Sequence, residues 1–472
     1  LPSIGLQLPV KKSPEVVIGQ KAHMEENKTK SKVGLRNWVS FIIIGLAGQF
    51  AWMVENMYLN KFIFSFGSAN YTLMISLTVA FSAITAALTT IFMGGLTDKI
   101  GRRKAFIAGG YIIWGLATAG FGLVYVGFKN QFGGSDASSI ASIFVIILDC
   151  VMTFFGSTSN DAAFNSYVTK NVKEENRGKV EGVLGILPLV AMLVIFVGLN
   201  SLTDTSTGNE ARWDLFFYII GGLVFVVGLI SLFLLPKEKV EKSNEKYLSL
   251  LVDGFKPSTI KANKSLYLIL LCYMVYGIAT QIYFPYLMIY FQYSLGYEGT
   301  DFVILFGVIM VVGSLLSVLY GILADKIGKS KALWPITLLF ILGLVMCIFA
   351  TSGQLAYAAI AGTVMMFGYI SVSSILNAKL RDVIPTGKEG IFMGIRILFV
   401  VMIPMCTGPF IGQAITENLY EKTYTDEYGI AGQPLPPKWI WLAAASVFTL
   451  VLIPMYFLYR QEKKDKIVVT PQ

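Results

Sequence analysis

The chain has a single histidine, His23, and four cysteines, Cys150, Cys272, Cys347 and Cys406, in 472 residues. His23 sits in a polar N-terminal stretch, and the cysteines fall singly within apolar segments with no CxxC pair. That excludes the usual ligand sets of a metal centre and the spacings of a redox or disulfide motif; an isolated cysteine in such a setting packs as a small apolar side chain. Charge is scarce as well. Only 14% of residues are Asp, Glu, Lys or Arg, where a soluble domain carries about a quarter. An integral membrane enzyme would need clustered His, Cys or paired acids at one depth, and the sequence offers none. No connecting segment is long enough to hold a soluble catalytic domain. No cofactor and no metal is expected.

Apolar sequence takes the place of what is missing. Hydrophobic residues make up 55% of the chain and the mean hydropathy is +0.64. A bilayer core asks for about 20 apolar residues per helix. Twelve stretches meet that: 38–61, 72–96, 104–127, 141–166, 180–200, 214–235, 265–290, 302–323, 332–350, 355–377, 391–413 and 438–459. The expected fold is all-α and integral to the membrane. Its net charge of +9 is no nucleic-acid signature, because the cations follow the topology. Loops on one side hold Lys61, Lys129, Arg212, Lys422 and Lys438, Arg396 falls inside a helix, and the other Lys and Arg lie on the side of the two termini. The positive-inside rule places both termini in the cytoplasm, with the chain in the cell membrane and the lipid bilayer as its solvent. The expected layout is a disordered cytoplasmic tail over 1–37 without a cleavable signal, a six-helix bundle over 38–235, a cytoplasmic linker over 236–264, a second bundle over 265–459 and a short tail over 460–472. Leu248, Leu250, Leu251 and Phe255 interrupt the charge of the linker, which predicts an amphipathic helix on the membrane face.

A charged phrase occurs twice, each time after the second apolar stretch of a half. Gly94-Gly95-Leu96-Thr97-Asp98-Lys99-Ile100-Gly101-Arg102-Arg103-Lys104 returns as Gly321-Ile322-Leu323-Ala324-Asp325-Lys326-Ile327-Gly328-Lys329-Ser330-Lys331. A looser pair follows the fourth and tenth stretches: Asn165-Ser166-Tyr167-Val168-Thr169 with Arg177-Gly178-Lys179-Val180-Glu181-Gly182, and Asn377 to Pro385 with Gly387-Lys388-Glu389-Gly390. Together they indicate two related halves. Gly94 is expected to let its helix approach a neighbour closely. An acid at a helix C-terminus opposes the macrodipole, so Asp98 and Asp325 are expected to find compensating cations in the loop. With Gly101, Arg102, Arg103 and Gly328 they would form a gating cluster that locks one conformation and breaks in another. The phrase resembles the loop signature of the major facilitator superfamily; Gly94, Asp98, Gly101, Arg102 and Arg103 fit, and Ser330 replaces a basic residue in the second copy. The resemblance implies twelve helices in two six-helix bundles, alternating access, and a monomer.

Ionisable residues at membrane depth are functional candidates. Four qualify: Glu55, Asp149, Asp161 and Arg396. Three acids face one base, and a buried carboxyl without a cationic partner can hold a proton. Glu55, Asp149 and Asp161 are therefore the proton-coupling candidates, with water at a helix end as the alternative for Glu55 in particular. Asp149 and Asp161 lie roughly 18 Å apart along one helix and about 120° apart around it, so they cannot share a site. Asp161 sits in the polar run Ser157-Thr158-Ser159-Asn160-Asp161-Ala162-Ala163-Phe164-Asn165, whose hydroxyl, amide and carboxylate groups suit a polyhydroxylated substrate. In the seventh stretch Tyr276, Tyr283 and Tyr290 recur every seven residues beside Gln281, Pro285 and Tyr286. They are either packing and interface residues or the walls of a sugar-binding cavity, and Pro285 is expected to break the helix. Ser371, Ser373, Ser374 and Asn377 read as interhelical glue or cavity lining.

Asn160 to Ser166, with Gly48-Gln49-Phe50-Ala51 and Met57-Tyr58-Leu59, is similar to the glycoside–pentoside–hexuronide cation symporters, the melibiose permease family. There an Asp at the place of Asp161 binds sugar hydroxyls, an acid matched here by Gln49 also contacts sugar, and a basic residue is matched by Arg396. An aromatic one turn later is replaced by Asn165. The acids that serve sodium in that family fall at Ala86 and Thr90, which argues for protons. The resemblance thus implies a secondary transporter importing a sugar or glycoside with protons. Asp161, Asn160, Asn165, Gln49 and Arg396 would contact substrate, with Gln281, Tyr276 and Tyr283 from the second half. The alternatives are a carrier for another solute (a drug, a lysolipid or a nucleoside) and a non-transporting sensor.

Overall fold

The structure, a computed structural model, describes residues 33–68, 70–132, 135–172, 174–205, 210–236, 255–384, 394–425 and 432–469. Among them are twelve helices of membrane-spanning length: α1 (Leu35–Phe64), α2 (Tyr71–Thr97), α3 (Arg103–Phe128), α4 (Asp136–Asn171), α5 (Lys179–Leu202), α6 (Trp213–Leu234), α7 (Lys264–Ser294), α8 (Gly299–Ile327), α9 (Lys329–Ile348), α10 (Leu355–Val383), α11 (Gly394–Asn418) and α12 (Trp439–Lys464). Most run past the apolar stretches on which they are built, because polar residues at both ends continue the helix beyond the hydrocarbon. An even number of spans leaves the start of α1 and the end of α12 on one side. Of the expected tail over 1–37, residues 1–32 lie outside the described residues and Leu35 to Asn37 already belong to α1; Leu248, Leu250 and Leu251 of the expected linker helix also lie outside them, and a short helix, Pro257–Ala262, follows.

Helices are obligatory here, since a bilayer offers no water to backbone N–H and C=O groups. Large apolar side chains such as Val197, Phe233, Leu315 and Leu319 point outward, toward lipid. Inside each half the helices approach through residues without side chains. A Cβ on Gly115 of α3 would meet the Gly221 carbonyl oxygen of α6 at 2.6 Å, and one on Gly228 of α6 would meet the Ile112 nitrogen of α3 at 2.7 Å. In the second half α9 and α8 both pack on α10, and α7 packs on α11 and α12. The two halves meet along α2 against α11 and α5 against α8.

Four wide, π-type turns interrupt the spans: Val54–Tyr58 in α1, Ser157–Phe164 in α4, Tyr290–Ser294 in α7 and Leu398–Met402 in α11. Such turns disturb the regular ladder and gather at functional sites. Side chains patch the ladder nearby: Asn56 Nδ2 donates to the Trp52 carbonyl at 2.7 Å and Asn60 Nδ2 to the Asn56 carbonyl at 3.1 Å. Pro285 breaks α7 as its lack of an N–H requires, leaving a 3-10 turn at Phe284–Tyr286.

The glycines of the repeated phrase act differently from expectation. A Cβ at Gly94 would have nothing within 4 Å, so no close helix contact explains it. Gly101 and Gly328 instead stop α2 and α8 with φ of 69° and 93°, a region closed to most L-residues. Gly115→Ala should therefore force backbone apart and cost about 1–3 kcal/mol, while Gly94→Ala should be neutral. Thermal unfolding midpoints of the two variants in detergent check the contrast.

Candidate functional site

Asp161 lies on the wide turn of α4, where it is half-buried. Asn160 Nδ2 donates to Asp161 Oδ1 at 3.1 Å, and Asn160 Oδ1, the side-chain amide oxygen, accepts from Tyr111 Oη of α3 at 3.0 Å. The same hydroxyl lies 3.0 Å from the Ile44 carbonyl of α1. Two glycines make this possible. A Cβ on Gly48 would meet Tyr111 Oη at 2.8 Å and Asn160 Oδ1 at 2.9 Å, and one on Gly110 would collide with Ser159. α1, α3 and α4 thus converge on one amide that orients one carboxylate. Thr158 and Ser159 are not free for a ligand, contrary to expectation: each hydroxyl donates to a carbonyl one turn back, Phe154 and Phe155, at 2.7 Å. Gln49 is half-buried on α1 and Asn165 is exposed one turn beyond Asp161.

A second group of acids is enclosed. Glu55, on the wide turn of α1, is 8% exposed and Asp149 of α4 is 1% exposed. Both line a narrow cavity of about 10 Å³, room for roughly one water, at the junction of the halves, together with Ser82 of α2 and Gln281 and Pro285 of α7. The Ser82 hydroxyl donates to Glu55 Oε1 and lies 2.9 Å from Thr153 Oγ1. Glu55 Oε2 and both oxygens of Asp149 have no hydrogen-bond partner among the described residues; Ser82, beside Asp149, is already spent. Glu55 is not a solvated helix end. No cation approaches within ion-pair distance of either acid among the described residues.

Arg396 of α11 donates to Asn377 Oδ1 of α10 at 3.1 Å. It lies near enough for its charge to act on Asp161, across the gap between the halves, without forming an ion pair. The tyrosines of α7 are not brought to this gap. Tyr276 donates to the Tyr369 carbonyl at 3.0 Å and stacks on that ring, and Tyr283 packs on Trp441 with its hydroxyl toward the Met365 sulfur. Both are fully packed inside the second half. Ser371 reaches Ser317 of α8 at 3.0 Å and Ser373 reaches Tyr273 of α7 at 3.0 Å, as expected of interhelical glue. The site thus combines an oriented carboxylate within the field of a cation with an enclosed pair of carboxyl groups, and no group of residues among those described could hold a metal ion.

The sequence pattern of the Major Facilitator Superfamily matches residues 37–409. The chain belongs to the Major Facilitator Superfamily. It is a multi-pass membrane transporter, not an enzyme. No curated protein matches it. Among solved structures, a point variant of the nucleoside transporter NupG superposes with a TM-score of 0.65 at 13% identity, covering 90% of this chain and 100% of that one. A D-xylose-proton symporter superposes with a TM-score of 0.68 at 11% identity, covering 89% and 97%. At such identities the likeness concerns the fold alone.

A transporter of this superfamily must open and close its two ends in turn, and here the ends differ. Away from the termini the halves are firmly joined. Asp204, after α5, is 5% exposed; it accepts from the Gly299 backbone N–H at 3.0 Å and from Gln292 Nε2 at 3.4 Å. Lys61, 1% exposed, donates to Thr203 Oγ1 at 3.3 Å, lies within the field of Asp204, and sits 6.0 Å over the Phe302 ring. Thr72 donates to Glu417 at 2.6 Å, Tyr71 to the Pro434 carbonyl at 2.5 Å, and Phe64 packs on Tyr293 and Tyr424. The segment after α11 forms a two-stranded ribbon here, β1 (Thr423–Tyr424) with β2 (Gln433–Pro434). Sequence reasoning counted Lys61 as a loop cation and passed over Asp204, Tyr111, Ser82 and Thr153. The first two could have been found as opposite charges flanking the apolar stretches on one side.

At the termini end the halves share the ion pair between Arg381 and Glu181, both exposed. Surface pairs of this kind contribute about 0–1 kcal/mol. The repeated phrase departs from expectation here too. Asp325 is exposed with no cationic partner among the described residues, and the Asp98 side chain lies outside what is described. Arg102 is exposed and Arg103 is buried. What holds the second copy is Lys329 on Asp382 at 2.7 Å and Lys379 on Ser330 and Glu462 at 2.5 Å. Ser330, the departure from the basic pattern, is thereby explained, since a cation there would face Lys379.

Asp204→Ala should loosen the joined end. In a Tyr293→Cys background it should raise labelling by a membrane-impermeant thiol reagent several-fold, whereas Arg381→Ala should leave that labelling at or below its starting level.

Proposed function

We propose that this transporter imports a sugar or glycoside together with protons. The observation that carries the reading is the Asp161 carboxylate, oriented by Asn160 and Tyr111, opposite Arg396 and Asn377 of the other half. A polyhydroxylated solute offers donors to Asp161 and acceptors to Arg396 and Asn160, and would bridge the halves near mid-membrane, where such carriers place their sites. Gln49 and Asn165 would complete the contacts. Tyr276 and Tyr283 would act indirectly, by fixing α7 and so the position of Gln281. Glu55 and Asp149 supply the coupling: carboxyl groups enclosed without cations can each carry a proton and release it when the cavity meets water. The acid-free region around Ala86 and Thr90 supports protons over sodium. We place the termini in the cytoplasm and the chain in the cell membrane by the positive-inside rule, so that the joined end faces outward and the site faces inward. Residues 236–264 would link the halves, a monomer would suffice, and the Asp98 and Asp325 loops, with Gly94, would bear on the inner gate.

Proteoliposome flux with a panel of radiolabelled sugars and nucleosides, with and without a pH gradient, tests this. Saturable sugar uptake stimulated by an inward proton gradient is expected; uptake of nucleosides alone would shift the substrate class, and proton movement without any solute dependence would overturn the reading. Asp161→Asn replaces a charged acceptor and should weaken sugar binding by roughly 10- to 100-fold, measured by equilibrium binding to the purified protein. Unchanged binding would remove Asp161 from the site. Asp149→Asn should abolish gradient-driven accumulation while sparing sugar exchange under counterflow.

A further inference from the structure

A groove opens at the termini end of the second half, between the start of α7, the end of α12 and the short helix Pro257–Ala262. Its empty volume is about 910 Å³. Three cations line its polar end: Lys264, Arg460 and Lys464. All three are exposed, and none has a carboxylate partner among the described residues. Leu268, Leu271 and Phe457 line the rest, with Leu271 and Phe457 turned outward to where lipid lies. The charges and the apolar wall are stacked along the spans, with the cations at their ends. Among the described residues Glu462 does not offset the groove's charge, because it is held by Lys379 of α10 at 2.5 Å.

We propose that this groove is a binding site for one anionic glycerophospholipid. Its phosphate would sit among Lys264, Arg460 and Lys464, and one acyl chain would lie along Leu268, Leu271 and Phe457. Charge complementarity selects the headgroup, since basic pockets between helix ends hold anionic lipids. The apolar wall selects a lipid over a free phosphate. Every lining residue except Ile260 of the linker lies on α7 or α12 of the second half, so rocking of the halves would leave the site whole, and the lipid would stay bound through the transport cycle. The ligand would also tie α12 to α7 beside the Lys379–Glu462 pair.

The test uses the full-length protein in nonionic detergent, titrated with dioleoyl phosphatidylglycerol and, separately, dioleoyl phosphatidylethanolamine, with bound lipids counted by native mass spectrometry. One phosphatidylglycerol should be retained in preference to phosphatidylethanolamine. A Lys264→Gln, Arg460→Gln, Lys464→Gln triple variant should lose roughly tenfold or more in affinity for it, since each basic side chain near a lipid surface contributes about a fivefold factor. A control triple variant at exposed cations on the same side but outside the groove, Lys99→Gln, Lys170→Gln and Lys326→Gln, should keep the bound lipid. Equal loss in the control triple would overturn the proposal in favour of diffuse attraction. So would equal retention of the two lipids, or displacement of the lipid by millimolar inorganic phosphate. Leu271→Asp, which leaves the cations in place, should also release the lipid; retention would overturn the role of the apolar wall.

Discussion

Backbone groups that cannot be given to water force this chain to be helical wherever it meets lipid, and its four wide turns are where that constraint is relaxed. Each relaxation falls at or beside a polar feature. The turn in α1 carries Glu55, that in α4 carries Asp161, that in α11 begins two residues after Arg396, and that in α7 carries Gln292, which reaches Asp204. A regular helix would present one side chain at every 100°. A widened turn shifts that phase and aims a polar residue inward that a regular helix would turn elsewhere. Asparagine and hydroxyl side chains then patch the disturbed ladder, which is why the polar run of α4 spends Thr158 and Ser159 on its own backbone.

The closeness of the helices is the second half of this arrangement. Tyr111 reaches Asn160 only because Gly48 and Gly110 leave room on either side, and α3 meets α6 backbone to backbone through Gly115 and Gly221. In lipid there is no hydrophobic drive between apolar helices, so close packing and shared hydrogen bonds must hold them. Each half is thereby a stiff unit. Between the halves the fastening is uneven: buried hydrogen bonds and aromatic contacts at one end, an exposed ion pair at the other. The state described is closed away from the termini, and the small area joined near the termini is the easier to part.

Much of this architecture is legible in the sequence. Twelve apolar stretches, the repeated charged phrase and the four intramembrane charges suffice to place the spans and to single out Asp161. What stayed hidden depends on angles and distances that no spacing encodes. The period of a regular helix says nothing of a widened turn, so the sequence leaves Glu55 open between an intramembrane acid and a solvated helix end, and the structure encloses it with Asp149. The tyrosines of α7 have the spacing of a cavity wall, yet Trp441, Tyr369 and Met365 fill the space before them. The helix-end position of Asp325 calls for a cation; exposure to solvent provides for it, and the ion pairs form instead through Lys329, one turn later, and through Lys379 of α10. Gly94 has the look of a close-packing glycine yet nothing crowds it, while Gly101 and Gly328 of the same phrase end their helices through positive φ.

The four charges Glu55, Asp149, Asp161 and Arg396 are divided between the halves. Glu55, Asp149 and Asp161 belong to the first, and Arg396 to the second. When the halves rock, these charges move relative to one another within the electric field of the membrane, where displacing one elementary charge fully across is worth about 2.3 kcal/mol per 100 mV. On the proposed reading, reorientation of the carrier would be a voltage-sensitive step in its own right, whatever solute it holds, with a sign set by how many of the three carboxyls are protonated when the halves move.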